Sequence, residues 1–229
     1  MNRMKIIIIA IIALIIAGEI AMPTLVGGLI ARGMSGATGS DRVTAAVAKR
    51  PALLMFDGRF DSVRIHAYDS KVDKIVFAEL DATLKDVALD MPTLISQRKV
   101  AVRGVRDIDL TAVITQEELS RFLNQSVKGV KNAKVTIESG KVNVGASFLL
   151  GQIASIAITL EGKVVGDGHR IKFVTDRFLI NNNAVGNIGG AVLTEIPLVD
   201  LRKLPFGVKA RSVVMDAGRI TIVADNKTP

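Results

Sequence analysis

Residues 142 to 160 read VNVGASFLLGQIASIAITL, and the alternation inside this stretch decides the fold class. Val142, Val144, Ala146, Phe148 and Leu150 take every second position, and Ile156, Ile158 and Leu160 do the same after a short break. Successive side chains of a strand point to opposite faces, so this spacing puts those apolar groups on one side of a β-sheet. Apart from Leu149 the intervening residues are polar or small, which leaves the other side for solvent.

The same period runs outward in both directions. Val63, Ile65 and Ala67 alternate with Ser62, Arg64, His66 and Tyr68, and Val76, Ala78, Leu80, Ala82 and Leu84 alternate with Phe77, Glu79, Asp81 and Thr83. Val87 and Leu89 then fall out of step, which two-to-one pairing near Lys85 and Asp86 explains. Ile108, Leu110, Ala112 and Ile114 resume the pattern, as do Ile220 and Ile222. Hairpin turns are expected at Ser139-Gly140, Gly166-Asp167-Gly168 and Ala217-Gly218.

Helices are few. Thr115-Gln116-Glu117-Glu118 has the spacing of a capping box, and Leu119, Phe122 and Leu123 follow as an apolar stripe. Ala184 to Ile196 keeps helical spacing through Val185, Ile188 and Val192, against the cost of three glycines. Short helices are expected at Pro51 to Phe56 and around Met91 to Ile95. The sum is an α+β, mainly β fold: a long curved antiparallel sheet wrapped around one or two helices, preceded by an N-terminal signal or anchor helix.

That N-terminal segment sets the compartment. Arg3 and Lys5 precede an uninterrupted apolar run from Ile6 to Gly18, the layout of an export signal. Small residues do not fall in step for cleavage near Ala17 to Ala21, which favours an uncleaved anchor. Positive charge ahead of the run keeps the N-terminus cytoplasmic and puts the rest outside, in a periplasmic or extracellular space. On this reading residues 1–22 are a signal peptide or transmembrane anchor. Residues 23–40 are a short helix and glycine-rich linker, and 41–226 are one β-rich domain.

The chain has 229 residues, no cysteine and a formal charge of +8. Lack of cysteine removes disulfides, thiolate metal sites, a thiol nucleophile and an acylated lipoprotein cysteine together. The positive charge suits an anionic membrane surface. Nucleic acid is not expected, because basic residues are scattered and one tyrosine with no tryptophan offers no stacking platform.

Chemistry is sparse. His66 falls on a polar strand phase and His169 in a turn, and neither has metal-ligand spacing around it. No nucleophile elbow, phosphate loop or dinucleotide fingerprint occurs. The carboxylate pairs Asp107 with Asp109 and Glu79 with Asp81 occupy solvent phases. No catalytic residue, metal or cofactor is therefore expected. An apolar sheet face with few bulky aromatics leaves room for acyl chains.

Several segments in series resemble the bacterial LmeA-like phospholipid-binding family. They are Arg50-Pro51-Ala52-Leu53-Leu54, Gly58-Arg59-Phe60-Asp61-Ser62-Val63-Arg64-Ile65, Ile114-Thr115-Gln116-Glu117-Glu118-Leu119, Leu204-Pro205-Phe206-Gly207-Val208 and Ala217-Gly218-Arg219-Ile220-Thr221-Ile222. The resemblance implies an exported or membrane-anchored envelope protein that binds phospholipid, with no catalytic residues to carry over. It also implies a lipid-transfer-like fold in which a curved sheet wraps a helix and holds acyl chains.

Three functions remain in competition. The first is a phospholipid-binding or lipid-transfer module in envelope biogenesis, with phospholipid or another acyl-chain lipid and the membrane as partners. Acyl chains would lie against Leu119, Phe122, Leu123, Phe148, Leu150, Ile156, Ile158 and Phe173, and Arg59, Arg64, Lys209 and Arg211 would meet head groups. The second is a non-catalytic envelope scaffold that recruits a protein partner through a packed β domain. The third is a hydrolase using Asp107 and Asp109.

Overall fold

A computed structural model describes residues 3–150, 154–181, 183–184, 193–204 and 206–227. Among them the chain is mainly strand, as the alternation predicts, with an N-terminal helix, but its strands form two antiparallel sheets where one long sheet was expected. Helix α1 spans Arg3–Thr38, followed by β1 (Val43–Ala48), a 3-10 helix η1 (Ala52–Asp57), β2 (Arg59–Val72), β3 (Ile75–Leu89), α2 (Met91–Gln97) and β4 (Val102–Thr115). Then come α3 (Gln116–Ser126), β5 (Val130–Glu138), β6 (Lys141–Leu150), β7 (Ala154–Asp167), β8 (Arg170–Ile180) and β9 (Asn183–Ala184). The chain ends with β10 (Glu195–Asp200), the 3-10 turn η2 (Leu201–Lys203), β11 (Lys209–Asp216) and β12 (Arg219–Asp225). One sheet has the order β1-β2-β3-β4-β12-β11 and the other β10-β8-β7-β6-β5, with β9 paired to β8.

The chain forms two compact units, Met1–Ala67 with Asp81–Ile108, and Tyr68–Leu80 with Asp109–Pro229. Their boundaries fall inside β2, β3 and β4.

In the first unit, α1 changes character along its length. Residues 4–17 are exposed on every side, whereas Val26, Ile30, Met34 and Thr38 form a buried stripe at four-residue spacing. The short helix and linker expected over residues 23–40 are thus, up to Thr38, the second half of one continuous helix, with Pro23 inside it. Two of its glycines, Gly27 and Gly33, are points of close approach rather than breaks. A Cβ on Gly27 would collide with the Ala45 carbonyl of β1, and one on Gly33 would stand 3.2 Å from the Arg98 carbonyl oxygen. Asp90 caps α2, its carboxylate accepting from Thr93 N at 2.9 Å and from Arg103 at 2.7 Å.

β3 corrects the expected phase. Phe77 is buried and Val76 and Ala78 are half-buried, so the core face holds Ile75 and Phe77, then Leu80, Ala82 and Leu84, then Val87 and Leu89. The slip at Lys85 and Asp86 is present, with both exposed and Asp86 at φ 48°. An unforeseen slip lies at Ala78 and Glu79, and β2 has another at Tyr68 and Asp69, where Asp69 has φ 49°.

In the second unit, Thr115 caps α3 by accepting from Glu118 N at 3.3 Å, and the Glu118 carboxylate pairs with Arg121 at 2.6 Å. Leu119, Phe122 and Leu123 are buried as expected. The predicted turns are in place, with Gly140, Gly168 and Gly218 all at positive φ. The helix expected over Ala184 to Ile196 is not borne out at its ends: Ala184 belongs to β9, and Glu195 and Ile196 to β10. Residues 185–192 lie outside the described residues.

Candidate lipid-binding site

The site is built on β6, β7 and β8, whose register aligns apolar residues in rows across one face. Val135, Val144, Leu160 and Phe178 form one row, and Ala146, Ile158 and Ile180 the next. Val130, Phe148 and Ile156 form the last, towards the β6–β7 connection. Burial is uneven across these rows, and Val130 and Val135 on β5 are buried. Val144, Leu160 and Ile158 are at most 2% exposed, whereas Ala146, Phe148, Ile156, Phe178 and Ile180 are half-buried.

Helix α3 closes the β5 edge of this sheet. The Asn124 side chain both accepts from Ala133 N at 2.8 Å and donates to Ala133 O at 3.0 Å, and Ser120 Oγ accepts from Val135 N at 3.0 Å. Side chains thereby satisfy backbone groups that a neighbouring strand would otherwise take. The end of the same helix leads through Gly129, which lies under the Phe148 ring.

The structure divides the residues expected to hold acyl chains into two groups. Phe148 and Ile156 face each other at the open end. Leu119, Phe122, Leu123, Ile158 and Phe173 are buried among the second unit's core side chains. The backbone of Leu150 ends β6 opposite Ala154, and its side chain lies outside the described set. The set expected from sequence did not include Phe178, Leu179 and Ile180, because a strand end running into Asn181-Asn182-Asn183 reads first as the approach to a turn.

The basic residues are distributed differently from the expectation of a single ring. Arg59 and Arg64 are exposed residues of the first unit. Lys209 and Arg211 begin β11, where Ala210 N donates to Gly168 O at 2.8 Å. Gly168 is in the β7–β8 turn, at the opposite end of those strands from Ile156 and Ile180. Arg211 is also engaged with Asp225 at 2.7 Å. The cations adjoining the open end are Lys128 and Lys131, both exposed, with Lys131 opposite Ser147 and one residue from the Val130–Phe148 pair.

The carboxylates and histidines singled out from the sequence make surface contacts. Asp107 accepts from Arg106 at 3.1 Å and Asp109 from Lys227 at 3.3 Å. His169 Nδ1 contacts the Val208 carbonyl at 2.8 Å, and His66 contacts Asp81 beside a shallow depression of about 370 Å³ lined also by Thr44 and Arg64. Among the described residues, no cluster of three His, Asp or Glu side chains is placed to hold a metal.

Comparison with known families decides the class. Residues 23–225 match the LmeA-like phospholipid-binding proteins, nearly the whole chain beyond the exposed half of α1. The chain belongs to the LmeA-like phospholipid-binding family. Membership supports lipid binding, and the family's description is of a binding function. No curated protein and no solved structure matches the chain. In this LmeA-like protein, α1 is long and apolar enough to cross a membrane, and so fits a signal or anchor.

Proposed function

We propose that this LmeA-like protein is a non-enzymatic phospholipid-binding protein of the cell envelope, anchored by the apolar first half of α1 with the strands of both units on the outer side. It takes up an acyl chain at the open end of β6, β7 and β8, and it presents or moves lipids during envelope biogenesis. The observation that carries this reading is the fading burial from Ile158 and Leu160 to Phe148, Ile156 and Ile180 on one continuous apolar face. Each methylene that leaves water against this face contributes about 0.8 kcal/mol, so a chain segment of several carbons gives usable affinity. Lys128 and Lys131 then stand where an anionic head group would remain in water.

Because α1 itself attracts lipid, the test compares full-length proteins that share it. Phospholipid would be extracted and quantified from wild type and from Ile156→Asp with Ile180→Asp, purified in the same lipid-free detergent. The proposal expects wild type to retain phospholipid and the variant to lose most of it with its thermal unfolding intact. Equal lipid content in two folded proteins would refute it.

A further inference from the structure

The 3-10 helix η1 sorts its side chains into two sets. Ala52 and Met55 are buried, whereas Leu53, Leu54 and Phe56 are 43%, 44% and 64% exposed. Three large apolar side chains on six residues are an unusual amount of grease for a surface bathed in water.

The position of η1 along α1 gives these side chains a partner. A Cβ built on Gly18 would stand 3.4 Å from Leu53 Cδ2, and Glu19 Oε1 accepts from Ala52 N at 2.7 Å. The start of η1 is therefore fixed against the Gly18–Glu19 turn of the helix, where the fully exposed apolar segment ends. That segment is short for a bilayer. A hydrocarbon core of about 30 Å takes about 20 helical residues. Counted from Lys5, the last charge before the apolar run, such a span reaches Thr24 or Leu25, roughly 9 Å beyond Gly18 at 1.5 Å per residue. Ile20 and Leu25, 73% and 63% exposed, extend the apolar surface through this zone. Glu19, the one acidic group in it, is engaged by the η1 backbone.

We infer that Leu53, Leu54 and Phe56 form a collar immersed in the outer leaflet at the foot of α1, seating the first unit on the bilayer surface. Arg50 and Arg59, both exposed, flank η1 in sequence and suit anionic head groups. The collar lets a short apolar segment span a thicker membrane, because the protein supplies apolar surface where the anchor alone would leave a mismatch. This inference rests on the reading of α1 as an anchor.

The chain has no cysteine, so single cysteines can carry an environment-sensitive fluorophore without further changes. Leu14→Cys, Leu54→Cys, Phe56→Cys and Ile95→Cys full-length proteins would be labelled and reconstituted in phospholipid nanodiscs, with or without lipids bearing a quencher on the acyl chain. Ile95 is 58% exposed but lies on α2, which runs into the Arg98–Val100 contact with Gly33, far along α1 from Gly18. The expected result is strong quenching at positions 14, 54 and 56 and none at 95. Quenching at 14 with 54 and 56 no more quenched than 95 would overturn the collar and leave the anchor standing. Absence of quenching at 14 would overturn both, and equal quenching at 95 would overturn the seating of the unit.

Discussion

The Phe148 ring lies over Gly129: a Cβ added to Gly129 would stand 2.9 Å from ring atom Cε2, and the Gly129 backbone has a φ of 85°. The loop after α3 therefore holds in place the aromatic residue at the open end of the second sheet.

Gly129→Ala meets both obstacles at once. A residue with a side chain is strained at this φ by about 1–2 kcal/mol, and the new methyl forces the ring aside. Denaturant unfolding should show a loss of that size, and phospholipid uptake should fall because Phe148 no longer lines the end of the sheet. Unchanged uptake would remove Phe148 from the site.

Asn124→Ala should destabilise through the edge of β5. It leaves the Ala133 N–H and C=O without their partner, and an unsatisfied half-buried polar group costs about 1–3 kcal/mol. Chemical denaturation would detect the loss as a lower midpoint at constant slope.

Lys128→Gln with Lys131→Gln should weaken binding of anionic phospholipid more than of zwitterionic phospholipid. The difference should shrink as salt rises, since exposed charges are screened beyond about 8–10 Å at physiological ionic strength. Lys209→Gln with Arg211→Gln, at the far end of β7 and β8, should leave both affinities as they are. Vesicle-transfer titrations at two salt concentrations would compare the pairs.

Acid should destabilise the protein through its paired carboxylates. A hydrogen bond from Lys49 lowers the pKa of Asp61, and those from Thr93 N and then Arg103 lower that of Asp90. The Arg202 guanidinium, then its backbone N–H, holds Asp200 well below the usual range. Folded values below the unfolded ones mean that this stability is fully present above about pH 4 and is lost as pH falls through the depressed values. Unfolding midpoints measured down the pH scale should stay level to that point and then drop. Arg103→Leu should lower the level above that point and make the drop smaller, because the folded pKa of Asp90 moves towards its unfolded value.

Much of the fold was legible because a half-buried strand writes its burial every second residue. Val63 to Ala67, Ile108 to Ile114 and Val142 to Gly145 have the burial alternation their spacing predicts. Where both phases are apolar the signal fails: Val76, Phe77 and Ala78 are contiguous, and the slip beside them was invisible. The continuity of α1 was hidden for another reason. Pro23 read as the start of a separate short helix and Gly33, Gly36 and Gly39 as its end, but at Gly27 and Gly33 tertiary contact with β1 and the Arg98–Val100 segment uses the missing side chains. The site was half legible, since Phe148 and Ile156 lie on a regular phase. Which apolar residues stay half-exposed, and that Lys128 and Lys131 adjoin them, depends on register across distant strands.

The account stands on an acyl chain lying at the open end of the second sheet. The most direct measurement is photocrosslinking of the full-length protein with a phospholipid carrying a photoactivatable group within its acyl chain, followed by peptide mapping. Adducts on β6, β7 and β8 around Phe148, Ile156 and Phe178 to Ile180, beyond those on α1, are the predicted result. Adducts confined to α1 and η1 would show that lipid meets this protein only as a membrane, and would contradict the account.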